Sequence, residues 1–174
     1  GKSTQIALLA RVLESRGRVV RTLREPGATA VGEAVRAILL DAAHTDMSPR
    51  AELLLYEAAR AQLVDAVVRP ALAAGDTVLL DRFYDSSTAY QGYGRGLPLA
   101  DVAALNRAAT GGLVPDLTIV LDVDPVEGLR RATAHGGADR LESETLEFHR
   151  RVRAGYAAIA EAEPERVRLV DAGG

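Results

Sequence analysis

The sequence predicts an α/β fold in which helices cover both faces of a parallel sheet. Strand-like and helical segments alternate along the chain, as they do in folds built from parallel strands. The strand-like segments at 77–80 and 117–123 are almost continuously apolar, which is typical of strands buried on both faces. Gly1-Lys2-Ser3-Thr4 stands at the head of an amphipathic segment, as a phosphate-binding loop does before its helix.

Apolar periodicity and capping residues locate the individual elements. A spacing of i, i+3, i+4 and i+7 from Ile6 predicts the first helix, and Ser48-Pro49 is a favourable start for the third. Pro70 predicts a bend or break in that long third helix. In order, we predict helix 3–16, strand 18–23, turn 24–27, a helix carrying Val31, Val35, Ile38 and Leu39, helix 48–74, strand 77–80, helix 99–109, strand 117–123, helix 125–134, helix 143–162 and strand 166–170.

We predict a single domain over residues 1–174, because no linker, repeat or low-complexity stretch divides the chain. The polar segment near 134–142, with Gly136 and Gly137, is the best candidate for a mobile lid. A complete phosphate loop reads G-x-x-x-x-G-K-[ST] and follows a strand, whereas this chain starts at the second glycine. We therefore expect a domain truncated at its N-terminus, and at its C-terminus too, where the chain stops just after a strand-like segment.

The composition excludes several classes of protein. The chain has 174 residues, a net charge of −3 and 48% hydrophobic residues, which suit one ordinary globular core. This charge argues against bulk binding to nucleic acid polymers or anionic membranes. The absence of cysteine excludes a disulfide framework and thiolate metal sites. We find no signal peptide and no apolar run near the roughly 18 residues that a membrane span needs, so we expect a cytoplasmic protein.

The first four residues have the chemistry of a nucleotide-phosphate site. Backbone N–H groups at a helix start attract anions, because they are unpaired and the helix dipole is positive there. Lys2, the only lysine of the chain, adds a positive charge for the phosphates, and the hydroxyl of Ser3 can coordinate Mg²⁺. A Gly-Lys-Ser-Thr run alone is a weak signal. Its place before an amphipathic helix and a short strand favours nucleotide binding.

Asp81 and Arg82 follow directly after the predicted strand 77–80. Open α/β sheets bind ligands at the carboxyl ends of their strands. At such a place an aspartate can hold Mg²⁺ through water and an arginine can clamp a phosphate with two hydrogen bonds. The alternative is a solvated ion pair at the end of a strand. The polar, aromatic and glycine-rich segment 85–96 comes next, and we expect it to contribute to the same site.

Two pairs of residues have the spacing of one helical turn, which places each pair on one helix face. Tyr56 and Arg60 form the first pair, and a core tyrosine with a snorkelling arginine is the commoner outcome of this pattern. Ser87 and Gln91 form the second, and without context they are ordinary capping and surface residues.

Three arginines, Arg130, Arg131 and Arg140, are grouped around the glycine pair of the predicted lid. They are either a phosphate clamp or an ordinary charged helix face.

Five motifs, in matching order and spacing, resemble those of bacterial thymidylate kinases. They are Arg24-Glu25-Pro26-Gly27, Ala58-Ala59-Arg60-Ala61-Gln62-Leu63, Asp81-Arg82-Phe83 with Ser86-Ser87 and Ala89-Tyr90-Gln91-Gly92, Pro115-Asp116-Leu117-Thr118 with Leu121-Asp122-Val123, and Asp139-Arg140-Leu141-Glu142. The resemblance implies a three-layer P-loop NTPase fold, ATP and Mg²⁺ as cofactors, and transfer of the γ-phosphate of ATP to dTMP to give dTDP. It also implies a homodimer.

The resemblance implies a role for each matched residue. ATP is bound by Gly1, Lys2, Ser3 and Thr4, and the metal by Ser3 and Asp81. Arg82 would hold the dTMP phosphate, with Arg36 lining that side, and Pro26 would also belong to the substrate-binding residues. Glu25 would lie near the sugar, and Tyr90 would crowd its 2′ side. The thymine is stacked by Tyr56, its O4 is bound by Arg60, and its N3–C2 edge by Ser87 and Gln91. The charge of phosphoryl transfer is neutralised by Lys2, Arg82, Arg131 and Arg140.

Two other functions remain open at the level of the sequence. One is a kinase of the same fold that acts on another nucleotide or on a nucleoside. The other, for a truncated chain, is a catalytically weak nucleotide-binding domain. Thr133 and His135 also stand where some members carry further arginines, which leaves open the lid residue that contacts the transferred phosphate.

Overall fold

Helices and parallel strands alternate in the computed structural model, which describes residues 1–133 and 139–173. The helices are α1 (Lys2–Ser15), α2 (Ala30–Leu40), α3 (Pro49–Leu63), α4 (Arg69–Ala73), α5 (Tyr84–Ser87), α6 (Leu99–Thr110), α7 (Pro125–Thr133) and α8 (Leu146–Ala162). The strands are β1 (Val20–Arg24), β2 (Thr77–Asp81), β3 (Thr118–Asp122) and β4 (Val167–Asp171). Two wider π-helical turns occupy Val64–Val68 and Thr88–Gly94.

The strands form two parallel pairs, β1 with β2 and β3 with β4. In the first pair Arg24 lies opposite Asp81, and in the second Asp122 lies opposite Asp171. The prediction of parallel pairing is therefore confirmed. Because β1 and β2 end at the same edge, the residues that follow them, Glu25 and Arg82, leave the strands side by side.

Side-chain caps begin several helices. Ser48 accepts a hydrogen bond from the amide of Ala51, and Pro49 occupies the first turn of α3, as the sequence predicted. Thr145 accepts from the amide of Phe148 at the start of α8, so this helix begins three residues after the predicted position 143. A hydroxyl that accepts from the third residue of a helix satisfies a donor that otherwise lacks a partner.

The predicted interruption near Pro70 is present as a change of helix type. The α3 helix ends at Leu63, a π-helical turn spans Val64–Val68, and α4 resumes at Arg69. Proline has no N–H to donate, and its ring collides with the carbonyl four residues earlier in a regular helix. Widening the preceding turn relieves that collision.

Residues 84–94 are helical, which the sequence analysis did not predict. The short helix α5 runs directly into the π-helical turn Thr88–Gly94. Glycine is needed at 94 because a Cβ there would lie 2.7 Å from Cε2 of Phe148 and 2.9 Å from Cγ2 of Val152. The turn thus packs directly on α8, in a core cluster that includes Ala89, Phe148, Val152, Ile159, Ala160 and Val167.

Several apolar side chains of the strands and of α1 stay exposed. Leu8 and Val12 on α1 are 50% and 45% exposed, and Ile119 and Leu169 on β3 and β4 are 51% and 45% exposed. The burial of these elements is therefore partial. Within the described ranges, no helix is long and apolar enough to cross a membrane.

Candidate functional site

A cleft of about 310 Å³ opens at the carboxyl ends of β1 and β2. It brings together most of the residues that the sequence singled out: Lys2, Ser3, Glu25, Pro26, Arg36, Tyr56, Asp81, Arg82, Ser87, Tyr90 and Gln91. These residues come from α1, α2, α3, the ends of two strands and the segment 84–94. The predicted residues that do not line it are Gly1, Thr4, Arg60, Arg131 and Arg140.

One end of the cleft has the chemistry of a phosphate and cation site. The hydroxyl of Ser3 donates to Oδ2 of Asp81 over 3.3 Å, so the two predicted metal ligands are neighbours. Oδ1 of Asp81 is buried and accepts no hydrogen bond from the described residues. No group of three or more acidic, histidine or cysteine side chains is gathered there or elsewhere in the described part of the chain. A hydroxyl and one carboxylate suit Mg²⁺, which usually takes its other ligands from water and phosphate oxygens.

Lys2 and Arg82 place two positive charges at this end. The proximity of Arg82 is the main reason why the pKa of Lys2 lies below its usual value, and burial adds to the effect. Neighbouring cations repel, and an anion placed between them relieves that repulsion. The pair therefore suits a polyanionic ligand.

Arg82 is held in an unusual conformation. Its φ is 74°, in the left-handed region that is unfavourable for residues other than glycine. Its guanidinium lies 5.0 Å from the ring centroid of Tyr90, and this aromatic neighbour is the main reason why the pKa of Arg82 is raised. Arg82 forms no ion pair with Asp81, which bonds to Ser3 instead, so the alternative of a strand-end ion pair is wrong. Strained residues of this kind cluster at functional sites.

Arg60 points into the protein interior and is only 1% exposed. Its Nε lies 2.6 Å from Oε1 of Glu25, and its Nη1 donates to Glu57 and, over 3.0 Å, to Oδ1 of Asn106. Its Nη2 donates to Oγ of Ser87 over 3.0 Å. The alternative of a snorkelling arginine is therefore wrong. Because Ser87 and Glu25 line the cleft, Arg60 lies directly behind its wall.

Glu25 is a buried acid at the same wall. Burial raises the pKa of Glu25 to about 7, and the nearby carboxylate of Glu57 contributes to the rise. The positive charge of Arg60 lowers the pKa but does not outweigh these effects. Oε1 of Glu25 lies 2.6 Å from Nε of Arg60, whereas the buried Oε2 accepts no hydrogen bond from the residues that the structure describes. The carboxyl group can therefore accept one from a ligand hydroxyl in the cleft.

Tyr56 supplies an aromatic ring to the lining of the cleft. Burial is the main cause of the raised pKa of its phenol, which stays neutral at physiological pH. A neutral aromatic ring and the amide of Gln91 line the same cleft, which suits a planar heterocycle that also needs hydrogen bonds along one edge.

Glu52, which the sequence analysis missed, is the centre of a buried network beside Gln91. It is fully buried on α3, accepts from Nε2 of Gln91 over 2.8 Å, and accepts from two nitrogens of Arg95. Glu52 precedes Tyr56 by one helical turn, and this spacing was the feature of the sequence that could have identified it. A second acid, Glu144, pairs with Arg95 from the chain preceding α8.

The structure corrects the predicted position of Arg140. Its guanidinium lies 2.6 Å from the carboxylate of Glu52, and its Nε donates to the carbonyl oxygen of Leu39 over 2.8 Å. It therefore does not line the cleft. The physical reason is that a fully buried carboxylate needs cationic partners, and Arg140 and Arg95 supply them.

Arg131 is also placed away from the cleft. It bonds to Glu127 on its own helix and donates to the carbonyl oxygens of Ala172 and Gly173. Arg130 pairs with the same Glu127, because the spacings i, i+3 and i, i+4 bring these side chains together. Positions 134–138 of the predicted lid, including His135, lie outside the described residues, as does the side chain of Thr133.

Comparisons with known proteins all indicate one family. The family model described as thymidylate kinase matches residues 1–174. A thymidylate kinase of Gloeobacter violaceus is 57% identical over 176 residues, which cover 99% of this chain and 82% of that protein. One of Solidesulfovibrio magneticus is 52% identical and covers 99% of this chain and 86% of that protein. The crystal structure of the thymidylate kinase from Ehrlichia chaffeensis superimposes with a TM-score of 0.79 at 32% identity, covering 98% of this chain and 84% of that one.

A full-length family match, relatives above half identity and a shared three-dimensional structure all indicate the same family. The fold is accordingly the P-loop NTPase fold that the sequence predicted. This chain belongs to the thymidylate kinase family.

Proposed function

We propose that this chain transfers the γ-phosphoryl group of ATP to dTMP, forming dTDP and ADP. The family match supports this reaction. The observation that carries it is that one cleft is lined both by the cations Lys2 and Arg82 and by Tyr56 and Gln91. Such a cleft complements a molecule that combines a phosphate with a flat, hydrogen-bonding base.

The chemical step needs little from the protein beyond positioning and charge. A phosphate oxygen of dTMP attacks the γ-phosphorus, the bond to the β-γ bridging oxygen breaks, and ADP leaves. The second pKa of a phosphomonoester is about 6, so the attacking group is already largely ionised at neutral pH. No general base is required. Lys2 and Arg82 reduce the repulsion between the two polyanions and hold them in line.

Ser3 and Asp81 are the residues that would hold Mg²⁺. The unpaired, buried Oδ1 of Asp81 and the neighbouring hydroxyl of Ser3 fit a hard cation with oxygen ligands. When bound, the ion neutralises charge on the phosphate oxygens. The start of α1, which contributes Lys2 and Ser3 to the cleft, would add backbone donors for the phosphates.

The acceptor nucleotide would be recognised by residues along the length of the cleft. Arg36 lines the cleft and donates to the carbonyl oxygen of Pro26 over 3.2 Å, and in this proposal it faces the phosphate. Glu25 offers an acceptor to a sugar hydroxyl, and Tyr90, braced against Arg82, crowds the 2′ side of the sugar. In this proposal Tyr56 stacks on the thymine, and Gln91 and Ser87 meet its N3–C2 edge. Arg60 does not itself line the cleft and would act on O4 from behind Ser87, whose hydroxyl it holds.

Neither alternative function is favoured by the comparisons, since the relatives reported above are all named thymidylate kinases. We further propose that each chain is a single kinase domain and that two chains form a homodimer. The helices α2 and α3 pack on each other and leave Val31, Ile38 and Leu54 between 42% and 49% exposed, which supports an additional packing surface. Light scattering coupled to gel filtration tests this state. A cytoplasmic location remains a prediction from the sequence.

The proposed reaction is tested by ADP release in a coupled assay with ATP and Mg²⁺. We expect turnover with dTMP, slower turnover with dUMP, and little with dCMP, dGMP or dAMP. Faster turnover of dCMP or dGMP than of dTMP would overturn the assignment. If no turnover is seen, calorimetric titration with dTMP and with ATP distinguishes two cases. Binding of both nucleotides supports the alternative of a nucleotide-binding domain, and binding of neither contradicts both functions.

A further inference from the structure

A buried carboxylate stands behind the base-side wall of the cleft. Glu52 on α3 is fully buried and does not line the cleft. Its Oε1 accepts a hydrogen bond of 2.8 Å from Nε2 of Gln91, which does line the cleft and is itself 1% exposed. One side of the Gln91 amide is therefore occupied by a charged group from a different element.

Two arginines keep this carboxylate charged. Arg95 donates to both of its oxygens, over 3.1 Å to Oε1 and 2.9 Å to Oε2, and Arg140 lies 2.6 Å from Oε2. Burial alone would raise the pKa of Glu52, but the hydrogen bonds from Arg95 and Gln91 and the two positive charges outweigh it, so the pKa is lowered. An ionised carboxylate has no proton to donate and can only accept.

This charge decides the orientation of the Gln91 side chain. A glutamine amide has a donating edge at Nε2 and an accepting edge at Oε1. The reversed amide would set Oε1 against an oxygen of Glu52, acceptor against acceptor, between two side chains that are both buried from solvent. We infer that Glu52 is a positioning residue that determines base specificity, because it holds the amide of Gln91 with Oε1 as the edge available to the base.

The inference rests on the proposed function, and it explains a preference between bases. Thymine carries a proton on N3 and therefore offers a donor, whereas neutral cytosine carries a lone pair there. An Oε1 presented by Gln91 accepts from the thymine N3–H and repels the cytosine N3 lone pair. Mismatched polar groups buried against each other weaken binding strongly. Glu52 would thus act on specificity through Gln91, without touching the nucleotide.

The substitution Glu52→Gln tests this role because it preserves shape and removes the charge. A neutral amide can donate or accept, so Gln91 becomes free to turn over. We expect the ratio of the dTMP to dCMP association constants, measured by calorimetry, to fall by about tenfold, mainly through weaker dTMP binding. The matched control is Glu144→Gln, which removes another carboxylate of the same Arg95 but one that bonds to no atom of Gln91. We expect the control to keep the ratio of the wild-type chain.

A measurement without nucleotide separates this inference from the proposed function. In the ¹H–¹⁵N spectrum of the wild-type chain, the side-chain amide protons of Gln91 should exchange slowly with water, since one of them is bonded to a buried carboxylate. In a folded Glu52→Gln chain they should exchange faster. Fast exchange in the wild-type chain overturns the inference even if the variant does not fold. An unchanged nucleotide ratio in a folded variant also overturns it. A wild-type chain that binds no dTMP refutes the proposed function instead, and the exchange measurement still decides the orientation of the amide.

Discussion

The guanidinium of Arg82 lies over the ring of Tyr90, 5.0 Å from its centroid, with Nη2 3.4 Å from the phenolic oxygen. This contact holds the arginine in the cleft although its backbone has a φ of 74°. A cation–π contact with a desolvated ring stabilises a guanidinium by about 2 kcal/mol, enough to offset a left-handed backbone that costs roughly 1–2 kcal/mol. Tyr90 therefore fixes Arg82 in position before any substrate binds.

Replacing Arg82 with alanine should impair both binding and turnover of dTMP. If Arg82 holds the acceptor phosphate in the ground and transition states, its loss raises KM and lowers kcat. A charge-assisted hydrogen bond contributes roughly 1.5–3 kcal/mol, so kcat/KM should fall by about ten- to hundred-fold. Steady-state kinetics with dTMP measure the effect, with Arg153→Ala as control because its partner Asp122 lies away from the cleft. Unchanged kinetics in a folded Arg82→Ala chain would contradict the proposed role.

Tyr56→Ala should weaken the binding of all nucleotides to a similar extent. Stacking contributes roughly 1–3 kcal/mol per base and depends little on the base, because every base has a π-face. We therefore expect dTMP and dCMP to lose about tenfold in affinity each, while their ratio stays within about twofold. Calorimetry with both nucleotides provides the comparison. A collapse of the ratio would show that Tyr56 selects the base, contrary to its assignment as a stacking platform.

Arg60→Ala should destabilise the fold in addition to any effect on thymine recognition. The guanidinium neutralises Glu25 and Glu57 in the interior, and both acids would lose their cation. Removing one partner of a buried ion pair costs about 3–5 kcal/mol in the free energy of unfolding. Urea denaturation measures the loss. The exposed Arg153 offers a contrast, since replacing it by alanine should cost less than about 1 kcal/mol. Similar losses in the two variants would show that Arg60 is not the essential counter-ion of this cluster.

The stability of the chain should depend on pH through Glu25. Its pKa is about 7 in the folded state, mainly because of burial, against an ordinary value of 4.5. Between these two pH values the folded state holds more protons at this group than the unfolded state, so its contribution to stability falls as pH rises through the window. Glu25→Gln removes this contribution. Urea denaturation from pH 5 to pH 8 should therefore show a flatter profile for the variant, and profiles of equal slope would refute the assignment.

Two neighbouring glycines should respond differently to alanine. A Cβ at Gly94 would press on the buried Phe148 and Val152, whereas a Cβ at Gly92 would meet mainly the δ-methyl end of Leu99 at 2.7 Å. Overpacking a rigid core typically costs about 1–3 kcal/mol, and a flexible side chain can move aside at lower cost. Gly94→Ala should thus lower the melting temperature more than Gly92→Ala does. The reverse order would mean that α8 yields more readily than Leu99.

Much of the fold was predictable because local rules act on short stretches of sequence. The strands at β2 and β3 were recognisable from continuous apolar runs, and α3 from Ser48 and Pro49, which satisfy requirements that arise within a few residues. The turn Thr88–Gly94 was not predictable in this way, since its two glycines normally signal a loop. Its helical form depends on close packing against α8, more than fifty residues later in the chain.

In the candidate site, too, some features follow from the local sequence and others only from the folded chain. The sequence by itself determined that Glu25 and Arg82 stand at the ends of β1 and β2, because each follows a strand and the parallel pairing aligns the two strand ends. Only the tertiary structure decided how the charges pair. Helical periodicity shows that Arg60 and Glu52 share the face of Tyr56, but not what that face meets. Their partners Asn106, Arg95 and Arg140 are distant in sequence, and a buried charge is stabilised by whichever opposite charges the folded chain brings to it.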